Sequence, residues 1–264
     1  MTRNGVAPSE RPSAAFATSQ VSSWVRVGSA TVGDALAAIQ KYVFLEKALS
    51  LVELDRMLDA DFVGSEAWRQ RLIHRAPKFG NDEDAVDRLV VAVTNSFFDE
   101  VEKGRNPRGG GMMPALYSVT AHVGAGKRVG ATPDGRKAGT PLSDGLSPTY
   151  GRDRKGPTAA LASMVKVDLI RAPDGVIVNQ RLAPGLLAAE EGRRKMAGLL
   201  RSFVEAGGFH WQFNVVSTET LLEAQGHPER HGDLVVRVAG YSAFFVDLSR
   251  AAQDAIIERS CAEF

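Results

Sequence analysis

Near its C-terminus the chain carries the segment Val235-Val-Arg-Val-Ala-Gly-Tyr-Ser-Ala-Phe-Phe-Val246, in which one glycine separates two runs of apolar residues. The runs at 234–238 and 243–246 are β-prone and predict two short strands. Gly240 lies between them, where glycine allows positive φ or a close backbone approach without a Cβ clash. The pattern therefore predicts a tight turn or a bulge at Gly240.

The composition limits the function classes without naming one. With 264 residues and 44% hydrophobic content the chain can bury a substantial core in one or two domains. The 32 basic and 31 acidic residues balance, so no basic field indicates nucleic acid, and no apolar run has the length of a membrane span. A single cysteine excludes an intrachain disulfide and favours a cytoplasmic location.

The first half of the chain divides into a leader and a helical region. Residues 1–26 are rich in Ser, Ala and Arg and lack a signal-peptide core, which predicts a disordered leader rather than a transit peptide. Apolar residues at helical spacing predict helices at 34–49, 51–59, 66–75 and 82–103. Asn81 and Asp82 are expected to cap the last of these helices, and Gly104 is expected to end it.

The second half alternates predicted strands and helices. Residues 106–157 are dense in glycine and proline and predict long loops. Lys127 is followed by Arg128 where a P-loop needs Ser or Thr, so no phosphate loop is predicted. Beyond the loops, strands are predicted at 164–169, 175–179 and 210–216, with helices at 190–205 and 219–225. This alternation is typical of an α/β fold.

Four polar residues are candidates for chemistry of their own. His227 and His231 have the spacing of two helical metal ligands, but Pro228 lies between them and no further ligand cluster is evident, so no metal is predicted. Asp134 and Arg136 look like an ion pair on a surface turn, and such pairs contribute little.

The cysteine has a structural interpretation as well. Cys261 falls in a predicted helix at 248–262, where it is expected to pack as a small apolar side chain. Nothing in its sequence context indicates a reactive thiolate.

Several blocks in order resemble one family. The segment Arg-Val-Ala-Gly-Tyr-Ser-Ala-Phe-Phe around Gly240 resembles the C-terminal signature of glycyl radical enzymes, the superfamily of pyruvate formate-lyase and the radical dehydratases and decarboxylases. Further blocks resemble that family: Ala76-Pro-Lys-Phe-Gly-Asn-Asp-Glu-Asp-Ala-Val-Asp87, the loop from Gly130 to Pro148, Gly156-Pro-Thr-Ala-Ala-Leu-Ala-Ser163 and Gln212-Phe-Asn-Val-Val216. Three segments look more like its dehydratase, decarboxylase and C–N lyase branch than like pyruvate formate-lyase itself: Gly130-Ala-Thr-Pro-Asp-Gly-Arg136, Pro141-Leu-Ser-Asp-Gly145 and Gln212-Phe-Asn214.

The resemblance implies a stored radical on Gly240, with Arg237, Tyr241 and Ser242 supporting its loop. A Cα radical is delocalised into both flanking peptide groups, which requires a nearly planar centre that a side chain would obstruct. Such a radical needs shielding from water and oxygen, and Tyr241, Phe244 and Phe245 are expected to shield it. Tyr117 either faces the substrate, as implied by some dehydratase relatives, or packs as an ordinary core tyrosine.

The implied fold is the C-terminal half of a ten-stranded glycyl radical enzyme barrel with surrounding helices. On this interpretation 27–135 form the helical part and the start of the glycine-rich loops. Residues 136–264 form the glycine radical domain, with half-barrel strands and a C-terminal helix. Half a barrel leaves strand edges unpaired, so we expect a partner chain with the N-terminal half, or self-association.

The resemblance also implies the chemistry. An activating enzyme with an iron–sulfur cluster cleaves S-adenosylmethionine and generates the radical, so this chain binds no cofactor permanently. In complete members the radical passes to a cysteine far upstream of the matched blocks, and Cys261 cannot be that residue. The chain is therefore expected to be inactive alone.

Three functions remain open at this point. The chain is the radical-bearing subunit of a split enzyme, a spare-part module that repairs an oxygen-cleaved relative, or a truncated remnant without catalytic function. The intact signature around Gly240 favours the first two. The substrate is not predicted, because the residues that select it lie mostly outside the matched blocks.

Overall fold

A computed structural model of the chain describes residues 22–259 and 261–262. Most of the predicted leader, residues 1–21, therefore lies outside the described residues. Its last residues are ordered, which corrects the prediction, because Ser22–Val25 forms strand β1 and pairs with a strand near residue 112. A strand this short depends on its partner ladder, and local composition does not reveal that ladder.

Helices dominate the first half, as predicted. The bounds predicted at 51–59, 66–75 and 190–205 are those observed, whereas the first helix passes into a π-helical turn, Gln40–Leu45, instead of continuing to 49. The helices are α1 (Ser29–Ile39), α2 (Leu51–Asp59), α3 (Glu66–Arg75), α4 (Asp84–Lys103), α5 (Ala121–Gly126), α6 (Gly156–Met164), α7 (Glu190–Glu205), α8 (Thr218–Gly226) and α9 (Arg250–Ile257).

Helix α2 begins at a local capping motif, whereas α4 begins without one because the residue expected to cap it makes tertiary contacts. Ser50 begins α2 with a capping box, since its hydroxyl accepts from the Glu53 amide and the Glu53 carboxylate accepts from the Ser50 amide. The predicted cap of α4 is wrong. Asn81 instead uses its side chain to bridge Lys78 and Arg152, so α4 begins at Asp84 without a side-chain cap.

The strands are short, and most pair in parallel. They are β1 (Ser22–Val25), β2 (Met112–Ala115), β3 (Asn179–Leu182), β4 (Gln212–Val215), β5 (Val235–Arg237), β6 (Ser242–Phe244) and β7 (Cys261–Ala262). β1 pairs with β2, β3 lies between β4 and β7, and β5 and β6 form an antiparallel hairpin. Helices that alternate with parallel strands confirm the α/β class.

Three predicted elements are wrong. The run at 164–169 is not a strand, because Met164 ends α6 and Leu169–Arg171 forms a 3₁₀ turn; a short apolar run does not distinguish the two. The strand predicted at 175–179 begins only at Asn179. The helix predicted at 248–262 ends at Ile257, and Cys261 lies in β7 beside β3, so its predicted helical environment is wrong.

The main core packs α1, α4 and α6 together. Val86, Val90 and Phe98 on α4 are fully buried against this core. α1 approaches α4 so closely that a Cβ at Gly33 would lie 2.2 Å from Cγ2 of Val90. The close approach explains the glycine within α1, where glycine otherwise lowers helix stability.

A separate cluster anchors the hairpin of β5 and β6. It joins the hairpin to α8 and α9 through Val236, Val238, Phe245, Leu221 and Ile256, each at most 3% exposed. The hairpin therefore rests on a packed base, and only its tip and outer face are free of this cluster. Within residues 22–259, no helix has both the length and the apolar character needed to cross a bilayer.

Candidate functional site

Gly240 lies at the tip of the hairpin. β5 and β6 pair from Val235 with Phe244 to Arg237 with Ser242, and the Val238 amide donates to the Tyr241 carbonyl at 2.9 Å to close the turn. Gly240 has a φ of +84°, in the left-handed region that favours glycine. The predicted tight turn at Gly240 is confirmed.

The tip is not shielded by this chain, contrary to expectation. Gly240 is exposed, and the flanking Tyr241 and Phe244 are 39% and 47% exposed. Only Phe245 is buried, in the cluster under the hairpin. Beneath Gly240, an added Cβ would lie 3.3 Å from Cδ1 of Ile177. One face of the glycine therefore rests on the protein, and the other is open.

Arg237 and Ser242 are joined beside the tip. Arg237 Nη1 donates to Ser242 Oγ at 3.2 Å, across the base of the turn. The Asn214 side chain on β4 accepts from the Arg237 amide at 2.7 Å and donates to the Arg237 carbonyl at 2.9 Å. The structure thus brings Arg237, Ser242 and Gly240 together and attaches the hairpin to β4 through one side chain.

A chain of buried side chains leads from Gly240 into the protein. Gln212 Oε1 accepts from the Gly240 amide at 3.2 Å and from Arg237 Nη2 at 3.3 Å. Gln212 Nε2 donates to Asn179 Oδ1, and Asn179 Nδ2 donates to Asp144 Oδ2 at 2.6 Å. Gln212 and Asn179 are both 6% exposed and Asp144 is fully buried. We call these three side chains the amide relay.

Arg259 holds the hairpin from the same side. Its guanidinium donates to the Val238 carbonyl at 2.9 Å and to the Arg237 carbonyl at 3.3 Å, and it pairs with Asp144 at 3.3 Å. Arg259 is 5% exposed, so its charge requires the buried carboxylate. The Asp144 carboxylate therefore anchors both the amide relay and the arginine that holds the hairpin.

Behind Asp144 the hydrogen bonds continue to a tyrosine. Ser118 donates to Asp144 Oδ1, so His122 Nδ1 donates its proton to Ser118 Oγ at 2.7 Å, and Tyr150 donates to His122 Nε2 at 2.8 Å. Burial lowers the pKa of His122 and raises the pKa of Tyr150, which favours the neutral form of both. Neutral His122 and Tyr150 thus extend the hydrogen-bond chain that reaches the Asp144 carboxylate through Ser118.

The other sequence candidates lie apart from these contacts. Tyr117 donates to Asp174 Oδ2 at 2.9 Å, and its ring lies against Gly175. His227 and His231 lie near the carboxylates of Glu229 and Glu223. Within residues 22–259, no three His, Cys, Asp or Glu side chains are grouped to hold a metal ion.

The predicted surface pair Asp134 and Arg136 is in fact buried. Asp134 is fully buried and Arg136 is 5% exposed. The Arg136 guanidinium donates to the carbonyls of Val129, Gly130, Lys137 and Thr140, so it holds its loop closed from inside. Five donors on a planar group suit that arrangement, which sequence spacing alone does not reveal.

The amide relay was not predicted as a site. Asp144 and Gln212 lie within blocks quoted for their resemblance, so those blocks were the available signal. No local sequence pattern marks Asn179 or Arg259 as part of the site, because their contacts join residues far apart in the chain.

Comparisons with known proteins agree with this geometry. Residues 142–246 match the family described as Glycine radical, and residues 15–126 match Pyruvate formate lyase-like, so the two matches cover most of the chain. The chain is 46% identical to Probable dehydratase YbiW of Escherichia coli and 41% identical to trans-4-hydroxy-L-proline dehydratase of Clostridioides difficile. These alignments cover 90% and 89% of this chain and 30% of each relative.

A solved structure shows the same fold in this region. The B12-independent glycerol dehydratase from Clostridium butyricum superposes with a TM-score of 0.89 at 44% identity, over 92% of this chain and 31% of that one. The chain thus spans about 30% of the length of the relatives it matches. It belongs to the glycyl radical enzyme superfamily, in which it corresponds to the glycine radical domain and part of the pyruvate formate lyase-like region.

Proposed function

We propose that this chain is the radical-storing part of a glycyl radical lyase of the dehydratase branch, with the radical on Gly240. The observation that carries the proposal is the hairpin tip inside the Glycine radical match, where a glycine at positive φ is held through its own amide by a buried side chain. Arg237 and Ser242 support the loop from its base, and Tyr241 flanks the glycine.

Glycine suits this chemistry for a physical reason. Loss of a Cα hydrogen leaves an unpaired electron that spreads into both flanking peptide groups only if the centre is nearly planar. At Gly240 a side chain would also meet Ile177 on the packed face. The open face leaves one Cα hydrogen accessible to a second protein.

The radical would come from an activating enzyme. Cleavage of S-adenosylmethionine at an iron–sulfur cluster of that enzyme supplies a carbon radical, which takes one hydrogen atom from Gly240 Cα. The cofactors belong to the activating enzyme, so this chain needs only to present Gly240 and to hold it afterwards.

Catalysis would require a further region of protein. The radical must reach a cysteine whose thiyl form takes a hydrogen atom from the substrate and starts an elimination, and Cys261 lies beyond the Gly240 segment in the chain, not at the upstream position of that cysteine in the family. We propose that this cysteine lies in the region equivalent to the other 70% or so of the relatives' length, on a partner chain or elsewhere in a longer protein. That region would complete a barrel of which β3, β4 and β7 form part, and would cover the open face of Gly240.

The test is anaerobic electron paramagnetic resonance after incubation with an activating enzyme, a reductant and S-adenosylmethionine. We expect a glycyl doublet from the wild-type chain and none from Gly240→Ala. The matched control is Gly207→Ala, because Gly207 also has positive φ, at +87°, outside the hairpin, and its variant should retain the doublet. A folded chain that stays silent with an activating enzyme proven on a full-length relative would contradict the proposal.

A second stage distinguishes the proposed roles. The activated chain is mixed with the cysteine-bearing region of a dehydratase relative, and substrate loss is followed. Turnover that needs both components supports the split arrangement. Turnover restored only to a relative cleaved at its own glycine loop supports the repair module.

A further inference from the structure

We propose that Asp144, acting through Asn179, fixes the amide of Gln212 so that its carbonyl oxygen holds the Gly240 amide in place. This inference rests on the proposed function, because it assigns positioning residues to the radical site. Gln212, Asn179 and Asp144 would act through the peptide group of Gly240 and would not touch the substrate.

The direction of the relay follows from donor and acceptor chemistry. A carboxylate accepts only, and Asp144 meets three donors, from Ser118, Asn179 and Arg259. The NH₂ group of Asn179 must therefore face Asp144, which leaves its oxygen towards Gln212. The NH₂ group of Gln212 then faces Asn179.

At the Gly240 end of the relay, Gln212 must present a hydrogen-bond acceptor. The Gly240 amide and the Arg237 guanidinium both donate, and both approach Gln212 Oε1. Turning either side-chain amide by 180° would place a donor against a donor or an oxygen against an oxygen in a buried site. Such a mismatch costs more than the net strength of an ordinary hydrogen bond. The buried carboxylate thus sets the orientation of an oxygen two side chains away.

The relay holds the part of Gly240 that matters for a Cα radical. The Gly240 amide belongs to the peptide plane on the N-terminal side of Cα, and delocalisation requires that plane to align with the radical centre. The turn bond from Val238 to Tyr241 closes the loop but does not bind the Gly240 amide. Gln212 therefore supplies a constraint that the hairpin itself does not provide.

The test measures hydrogen exchange at single amides in the unactivated chain. Gln212→Met removes the acceptor with little change of volume, and Asn179→Leu keeps that acceptor but removes the anchor of Gln212 and one donor to Asp144. The matched control is Gln180→Met, since Gln180 is the next residue on β3, is 4% exposed, and has neither amide atom hydrogen-bonded within the described residues.

We expect Gly240 exchange to accelerate about tenfold in both relay variants, the effect of losing one hydrogen bond of ordinary strength. Val238 exchange should change less than about twofold, since local loss of the relay leaves the turn bond intact. The Gln180→Met control should match wild type at both amides.

Two results would overturn the proposal. One is an unchanged Gly240 rate in Gln212→Met, and the other is equal acceleration in Gln180→Met. If Gln212→Met does not fold, Asn179→Leu still tests the relay, because it leaves Gln212 in place. The readout needs no radical, so a silent resonance experiment and a failed relay are separate outcomes.

Discussion

At the scale of single residues, Gly240 is constrained on one side and open on the other. Its φ of +84°, and the position of Ile177 Cδ1 only 3.3 Å from where a Cβ would lie, act on the folded hairpin whether or not a radical is present. A Cβ in the left-handed region clashes with the following carbonyl, which costs roughly 1–2 kcal/mol. The requirement for glycine is therefore structural as well as chemical.

A comparison of two alanine variants separates the cost of backbone strain from the cost of the contact with Ile177. We expect Gly207→Ala to lower the free energy of unfolding by about 1–2 kcal/mol from backbone strain alone, since its added Cβ has no neighbour within 4 Å. Gly240→Ala should cost more, because its Cβ also meets Ile177 Cδ1 at 3.3 Å. Urea unfolding of both variants measures the difference, and a smaller loss in Gly240→Ala would contradict the contact argument.

The sequence alone predicted a turn at Gly240, but it did not predict which side chains contact that glycine. The apolar runs around Gly240 follow from local preference, and so does positive φ at the turn. The relay depends on Asn179 and Gln212 meeting across a parallel ladder. No local pattern carries that information, because buried polar side chains are satisfied by partners that folding brings together.

At the scale of elements, prediction succeeded where local signals determine the structure. α2 and α7 have the predicted bounds, α2 with a capping box and α7 with an acidic first turn. The strands are four residues or fewer and owe their existence to distant partners. For that reason the sequence pattern predicts a leader at the residues of β1 and a helix at the residues of β7.

α1 carries a buried acid that links it to the following segment. Asp34 is fully buried, and its Oδ1 accepts from the Phe79 amide at 2.7 Å. Burial raises the pKa of Asp34 to about 7, although the nearby Lys78 opposes the shift. The native protein therefore binds a proton at a pH where the unfolded chain has already released it.

Stability should consequently fall as pH rises from about 4 to about 7. In that window the unfolded state binds fewer protons than the native state, so the free energy of unfolding decreases with pH and levels off above it. Asp34→Asn should remove that decrease, which amounts to roughly 2–4 kcal/mol, while keeping an oxygen for Phe79. Urea midpoints across the range measure the effect, and parallel profiles for the two proteins would contradict it.

At the scale of the whole molecule, the chain leaves apolar surface uncovered around the proposed site. Tyr241 and Phe244 are 39% and 47% exposed, on a two-stranded hairpin whose edges lack a neighbouring strand within the described residues. Exposed edges and apolar patches are typical of surfaces that bind another protein region. This is where we expect the cysteine-bearing region to dock.

A pair of exposed substitutions tests that docking. Phe244→Glu should weaken binding to the cysteine-bearing region of a relative at least about tenfold, because it places a charge at the centre of the proposed contact. Val63→Glu should have no effect, since Val63 is 79% exposed but follows α2, outside the cluster around the hairpin. Analytical ultracentrifugation of mixtures measures both, and equal binding by the two variants would argue against this surface.

The parallel ladders also determine how the chain reaches its fold. Ser22 pairs with Met112, and Arg181 pairs with Cys261, so these two of the parallel ladders close loops of some 80 to 90 residues. Contacts this distant in the chain raise the contact order and slow folding, because loop entropy is lost before the ladder forms. Until then the unpaired strands are available to neighbouring molecules. Refolding should therefore be slow and yield less native protein at high concentration, so recovery of the folded domain should improve on dilution.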